Sequence, residues 1–173
     1  MITYNPAFDL YHSIFRMAYI IASMQEGEAY EIDKVRIWDF YMLFPDKVHN
    51  IHLRQDEKTI RELRNTKLKK SNNPYEYRGN NRKLFEWIKP FQLSALSCLV
   101  SCGILNKNEY LSGRVAVSNH SALNAFVGKV GTLSAREKNT LAFLRILSLR
   151  MPLTGIYGLK ARTELLEYKY DEK

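Results

Sequence analysis

Cysteine is scarce in this chain: Cys98 and Cys102 are the two in 173 residues. They cannot form a disulfide framework, which points to a reducing compartment. No apolar run approaches the ~20 residues that span a bilayer. The start, MITYNPAFDLYHSIFR, lacks the basic segment and apolar core of a secretory signal. A cytoplasmic location follows from these absences. Catalytic signatures are missing as well: no P-loop, no GxGxxG and no Ser/His/Asp order. His12, His49, His52 and His120 are scattered, and a zinc site needs about four ligands at suitable spacing. His49 and His52 could share a helix face, but no carboxylate pattern accompanies them. Asp56 and Glu57 are adjacent, so on a helix they point apart, unlike a working acid–base pair. Cys98 and Cys102, four apart, read as small core residues. No catalytic residue, cofactor or metal site is expected, and the chain does not read as an enzyme.

What is present is a basic protein with a substantial core. Hydrophobic residues make up 46%, and the formal charge is +8 with a pI near 9.4. The length suits one domain over residues 1–173, with lobes at 1–70 and 82–173 joined by the loop 71–81. The densest apolar segment is IDKVRIWDFYMLFPDKV, residues 32–48. Asp33 can cap a helix, and Val35, Ile37, Trp38, Phe40, Tyr41, Leu43 and Phe44 cover nearly all of its sides. Such a helix is buried, and Pro45 ends it. It reads as the central helix; a ligand pocket around Trp38, Phe40 and Tyr41 lacks polar groups to orient a ligand.

Asn5 and Pro6 suit a helix start, followed by Phe8, Tyr11, Phe15, Ala18 and Ile21 at helical spacing to about Met24. Its outer face carries only Asp9 and Arg16. Residues 46–53 add a helical turn. Arg54–Lys70 reads as a surface helix with Ile60, Leu63 and Leu68 inward, and SNNPYEYRGNN, residues 71–81, as a loop. Residues 82–89 predict a short helix, and Pro90 a second one, ended by Gly103. Val115 and Val117 alternate with polar or small neighbours, a strand pattern. Helix, glycine stop and short hairpin is the element order of a winged-helix unit. Residues 119–130 predict a helix with Leu123, Phe126, Val127 and Val130 inward. Ser134 and Glu137 form a capping box that opens an apolar helix ended by Pro152. Residues 162–170 alternate and predict a closing strand. The fold expected is α+β, mostly helical and winged-helix-like, single or tandem, with a short β-hairpin and a C-terminal strand.

Charge is the feature above background. Between Arg54 and Lys89, eleven basic residues face five acidic ones, so +6 of the +8 lies there. Tyr75, Tyr77 and Trp87 are interleaved. Lys67, Lys69, Lys70, Arg78, Arg82 and Lys83 are the candidates for contact with a phosphate backbone, and an acidic protein surface would select the same charges. Sequence-specific reading needs Arg, Lys, Asn or Gln offered to base edges. The helix before the hairpin offers only Gln92 and a few serines, which counts against a free-standing winged-helix DNA-binding regulator.

Three segments, YNPAFDLYHSIFR, IDKVRIWDFYMLFPDKV and GLKARTELLEYKYD, resemble the middle component of ABC-three-component systems, the Lamassu-like bacterial defence operons, in particular the group called middle component five. The resemblance implies a non-enzymatic adaptor between an SMC-like ABC ATPase and an effector, often a nuclease, in an anti-phage or anti-plasmid complex that contacts DNA. Similar subunits of SMC complexes are winged-helix proteins of the kite type. The resemblance carries over no binding residue.

Overall fold

The computed structural model describes residues 6–70 and 79–167. By backbone proximity the chain divides into two units, Met1–Asp39 with Trp87–Thr132, and Phe40–Glu86 with Leu133–Lys173. Each unit draws on both halves of the sequence.

In the first unit a 3₁₀ turn, Pro6–Phe8, precedes α1 (Leu10–Ala22). Its N-cap is Asp9, whose carboxylate accepts the His12 backbone N–H at 2.9 Å. Asn5, the expected cap, lies outside the described residues. Strand β1 (Tyr30–Glu31) runs into α2 (Ile32–Leu43). Every residue from Lys34 to Met42 is buried, as expected of a helix apolar nearly all round. Asp33 differs from expectation: it sits inside the first turn, and its Oδ1 accepts from Arg36 Nη1 at 2.7 Å. The Ile32 N–H is instead taken by the Gly113 carbonyl at 3.0 Å.

The helix α4 is continuous over Asn81–Ser101, with Pro90 inside it, where two helices were expected. Leu84, Phe85, Ile88, Gln92, Ala95, Leu96 and Leu99 are buried at three- and four-residue spacing on both sides of the proline. Burial along that stripe outweighs the ~3 kcal/mol that an interior proline costs a helix. The helix closes as a glycine-capped end: Gly103 has φ +72°, its N–H reaches the Val100 carbonyl, and the Ile104 N–H reaches Leu99.

After α5 (Lys107–Leu111) comes β2 (Arg114–Val115). The expected hairpin takes a different form. Leu105 bridges Val117, with bonds from Asn106 N–H to the Ala116 carbonyl and from Ser118 N–H to Ile104. The polar tip between them is α5 rather than a tight turn, because Asn106 caps it by accepting from the Asn108 and Glu109 amides. Strand β2 pairs antiparallel with β1, Tyr30 opposite Val115. Helix α6 (His120–Lys129), capped by Asn119, packs on α1. Leu123 is buried there and Val130 is exposed.

The second unit holds a 3₁₀ segment, Pro45–Asn50, and the helices α3 (Lys58–Lys67), α7 (Ala135–Arg150) and α8 (Leu159–Thr163). The capping box forms as expected: Ser134 N–H donates to Glu137 Oε2 at 2.7 Å, and Glu137 N–H to Ser134 Oγ at 3.3 Å. Helix α7 packs on α3 and on the 3₁₀ segment, and Phe40 sits edge-on to Phe85 in the core. The C-terminal strand is not present among the described residues. Arg162 and Thr163 belong to α8, and Glu164 turns the chain with φ +54°, which breaks the extended backbone a strand needs. Residues 168–170 lie outside the described residues.

Candidate functional site

A groove of about 870 Å³ lies in the second unit. Residues 49–53, one face of α3, the start of α4 and residues 163–167 form its walls. Three arginines line it, and local bonding fixes each. Arg61 Nη2 donates to the Arg54 carbonyl at 2.8 Å. Arg64 Nη1 donates to the Ile51 carbonyl at 3.2 Å, and Arg82 Nη2 to Glu167 Oε2 at 3.1 Å. Two of the three therefore staple residues 49–54 onto α3. Burial, and after it the neighbouring Arg61 charge, holds Arg64 below the ordinary guanidinium value. Arg64 Nε and Asn81 Oδ1 are buried without a hydrogen-bond partner. An unpaired buried donor is costly, and like charges held together favour an anion between them. His49 Nε2 bonds the Leu68 carbonyl, and exposed His52 stands 3.7 Å from Glu164. The start of α4 is capped by Asn80, whose side chain accepts the Arg82 and Lys83 amides.

Beside the groove, and sharing His52 and Leu53 with it, is a smaller apolar hollow at Ile156 and Tyr157. The Arg54 guanidinium lies 4.5 Å from the centre of the Tyr157 ring. Arg162 holds this corner together. It donates to the Tyr157 carbonyl at 2.7 Å, to the His52 carbonyl at 3.3 Å and to Glu57 Oε2 at 2.7 Å. Burial alone would raise the Glu57 carboxyl. The bonds from Arg162 and the Arg54 amide, with both guanidinium charges, outweigh burial and hold it below the ordinary value.

Of the six basic residues singled out from sequence, Lys67, Lys69 and Lys70 are exposed at and after the end of α3. Arg82 and Lys83 are exposed in the first turn of α4. Arg78 lies outside the described residues. Arg82 lines the groove, together with Arg61 and Arg64, which composition had placed among many charges without distinction. Cys98 is half-buried and Cys102 exposed, which corrects the reading of both as core. Among the described residues, no group of three His, Cys, Asp or Glu could hold a metal ion, and no helix is long and apolar enough to cross a membrane.

The first unit holds a buried polar network that hydrophobic patterning did not reveal. Asp39, fully buried on α2, accepts Arg16 Nε at 2.6 Å and Gln92 Nε2 at 2.9 Å. Gln92 Oε1 accepts Arg36 Nε at 3.0 Å, and Gln92 Nε2 reaches the Arg36 carbonyl at 3.1 Å. Arg16, read from sequence as an outer-face charge, is 5% exposed. The network ties α1, α2 and α4 together.

The molecule is thus a small, mostly helical protein with a minimal two-stranded sheet and a polar, arginine-lined groove. It belongs to the family described as ABC-three component (ABC-3C) system Middle Component 5, whose model matches residues 2–171. The chain is accordingly a middle component with an accessory role in such a system. No curated protein and no solved structure matches it.

Proposed function

We propose that the protein is a non-enzymatic adaptor. It joins an SMC-like ABC ATPase to an effector, often a nuclease, in a Lamassu-like anti-phage or anti-plasmid complex, and it contacts DNA held there without reading its sequence. The family match over nearly the whole chain carries this reading. The exposed cations Lys67, Lys69, Lys70, Arg82 and Lys83 support the DNA contact. Phosphate contacts position a protein without carrying base information. Helix α4, its Gly103 end and the paired segments 104–106 and 116–118 support a winged-helix element of the kite type.

The test is co-expression of the three components, with this chain wild-type or carrying Lys69→Glu, Lys70→Glu, Arg82→Glu and Lys83→Glu, followed by pull-down and DNA titration at two salt concentrations. The adaptor reading expects the altered chain to keep both partners while the complex loses duplex affinity. The dependence of log affinity on log salt should flatten by about 0.9 for each phosphate contact removed. Loss of a partner with DNA binding unchanged would assign these charges to protein docking instead.

A further inference from the structure

We propose that the Arg61–Arg64–Arg82 groove and the adjoining Tyr157 hollow form a binding site for single-stranded nucleic acid. Backbone phosphates lie among the guanidinium groups and a base stacks on Tyr157. The inference rests on the nucleic-acid part of the function proposed above but on different side chains, Arg82 excepted.

Four observations converge. The groove's cations are arginines, whose planar forks match phosphate oxygens better than an ammonium does. Each is already fixed in place, by the Arg54 and Ile51 carbonyls and by Glu167, so little side-chain entropy is lost on binding. Arg64 carries an Nε–H without a hydrogen-bond partner. The hollow that continues from the groove presents Tyr157, 57% exposed, and Ile156, 63% exposed. Arg54 stacks against the Tyr157 ring.

A basic track beside an exposed aromatic ring is the arrangement that holds single strands, because every base offers a flat face to stack. A duplex keeps its bases paired inside and its phosphates on a convex surface, so it cannot lay a strand into a concave groove and turn a base onto Tyr157. An acidic peptide would gain from the arginines, but it has no use for an exposed aromatic ring beside them.

The experiment uses the full chain and a short fluorescein-labelled oligodeoxythymidylate, followed by anisotropy across a salt series. A duplex of equal length and a polyglutamate peptide serve as competitors, and thermal melts confirm that each variant is folded. Tyr157→Ala should weaken oligodeoxythymidylate binding about fivefold or more, the loss of one stacked base, and Tyr157→Phe should restore it. Arg61→Gln should flatten the salt slope by about 0.7, one single-strand phosphate. Because Arg61 also holds backbone carbonyls, the exposed Tyr157 pair keeps the inference testable should that variant unfold. A folded Tyr157→Ala chain that binds within about twofold of wild type overturns the inference. So does equal competition by polyglutamate, or binding of duplex alone. In the last case the lysine-borne DNA contact survives and only the groove assignment fails. Lys69→Glu with Lys70→Glu should lower duplex binding while leaving the Tyr157 effect intact, which separates the two readings.

Discussion

Replacing Asp39 with alanine should unfold the first unit more readily than any surface change. The carboxylate is fully buried and accepts Arg16 Nε at 2.6 Å, Arg16 Nη2 at 3.4 Å and Gln92 Nε2 at 2.9 Å. Removing it leaves the charge of the buried Arg16 facing only neutral acceptors, the Pro6 carbonyl and the Ser13 hydroxyl, among the described residues. Breaking a buried pair from one side costs about 3–5 kcal/mol. Loss of the Gln92 bond adds to that, since Gln92 is itself buried and its freed donor costs about 1–3 kcal/mol. At about 2–4 °C per kcal/mol for a chain of this size, the melting midpoint should fall by roughly 8–32 °C. Arg16→Met combined with Asp39→Leu removes both charges and should recover much of the loss, because a buried pair is often no better than an apolar substitute. Calorimetry of wild type, Arg16→Met, Asp39→Leu and the double variant completes a cycle whose coupling term should be large. A melting midpoint for Asp39→Ala within error of wild type, or strict additivity in the cycle, would refute the argument that the pair is desolvated and coupled.

Three further outcomes follow from the same geometry. Trp38, 2% exposed on α2, should cost about 3–5 kcal/mol when changed to alanine, read by denaturant unfolding; an unchanged midpoint would mean that the α2 core is misassigned. Gly158 opens α8 where a Cβ would come within 2.8 Å of the Leu153 carbonyl oxygen and nearer still to the Thr154 carbonyl. Gly158→Ala should therefore cost about 1–3 kcal/mol through overpacking, and a thermal shift of zero would contradict that close approach. The Glu57–Arg162 bond should make stability fall in acid. Glu57 titrates below its unfolded value of 4.5 in the folded chain. Its contribution is thus complete above that value and is lost as pH drops through the lower folded one. The gap in melting temperature between wild type and Glu57→Gln should be full near neutrality and close in acid, and a gap that is constant with pH would contradict the assignment.

Features set by neighbours in sequence were legible. The Ser134–Glu137 capping box and the Gly103 helix end depend on residues three to five apart, and both formed as expected. The 32–43 helix could be read as buried because its apolar residues cover every side. Pro90 misled because local propensity argues for a break, whereas the buried stripe from Leu84 to Leu99 is a tertiary fact. The strand expected at residues 162–170 failed at Glu164, where alternation of side chains says nothing of a left-handed turn. The polar network was out of reach for the same reason. Asp39 meets Arg16 across 23 residues and Gln92 across 53, and nothing in the pattern of either helix marks those partners. Net charge singled out residues 54–89, and Arg61, Arg64 and Arg82 of the groove lie within them. Which arginines it gathers depends on α3 meeting the start of α4 and residues 163–167, a juxtaposition invisible in composition.

The central claim is that this middle component holds its system together. The direct measurement is the mass of the assembly formed by the co-expressed ATPase and effector with and without this chain, taken by mass photometry. The account predicts one three-component species when the chain is present, and separate ATPase and effector when it is omitted. An ATPase–effector complex of undiminished yield in its absence would contradict the adaptor role.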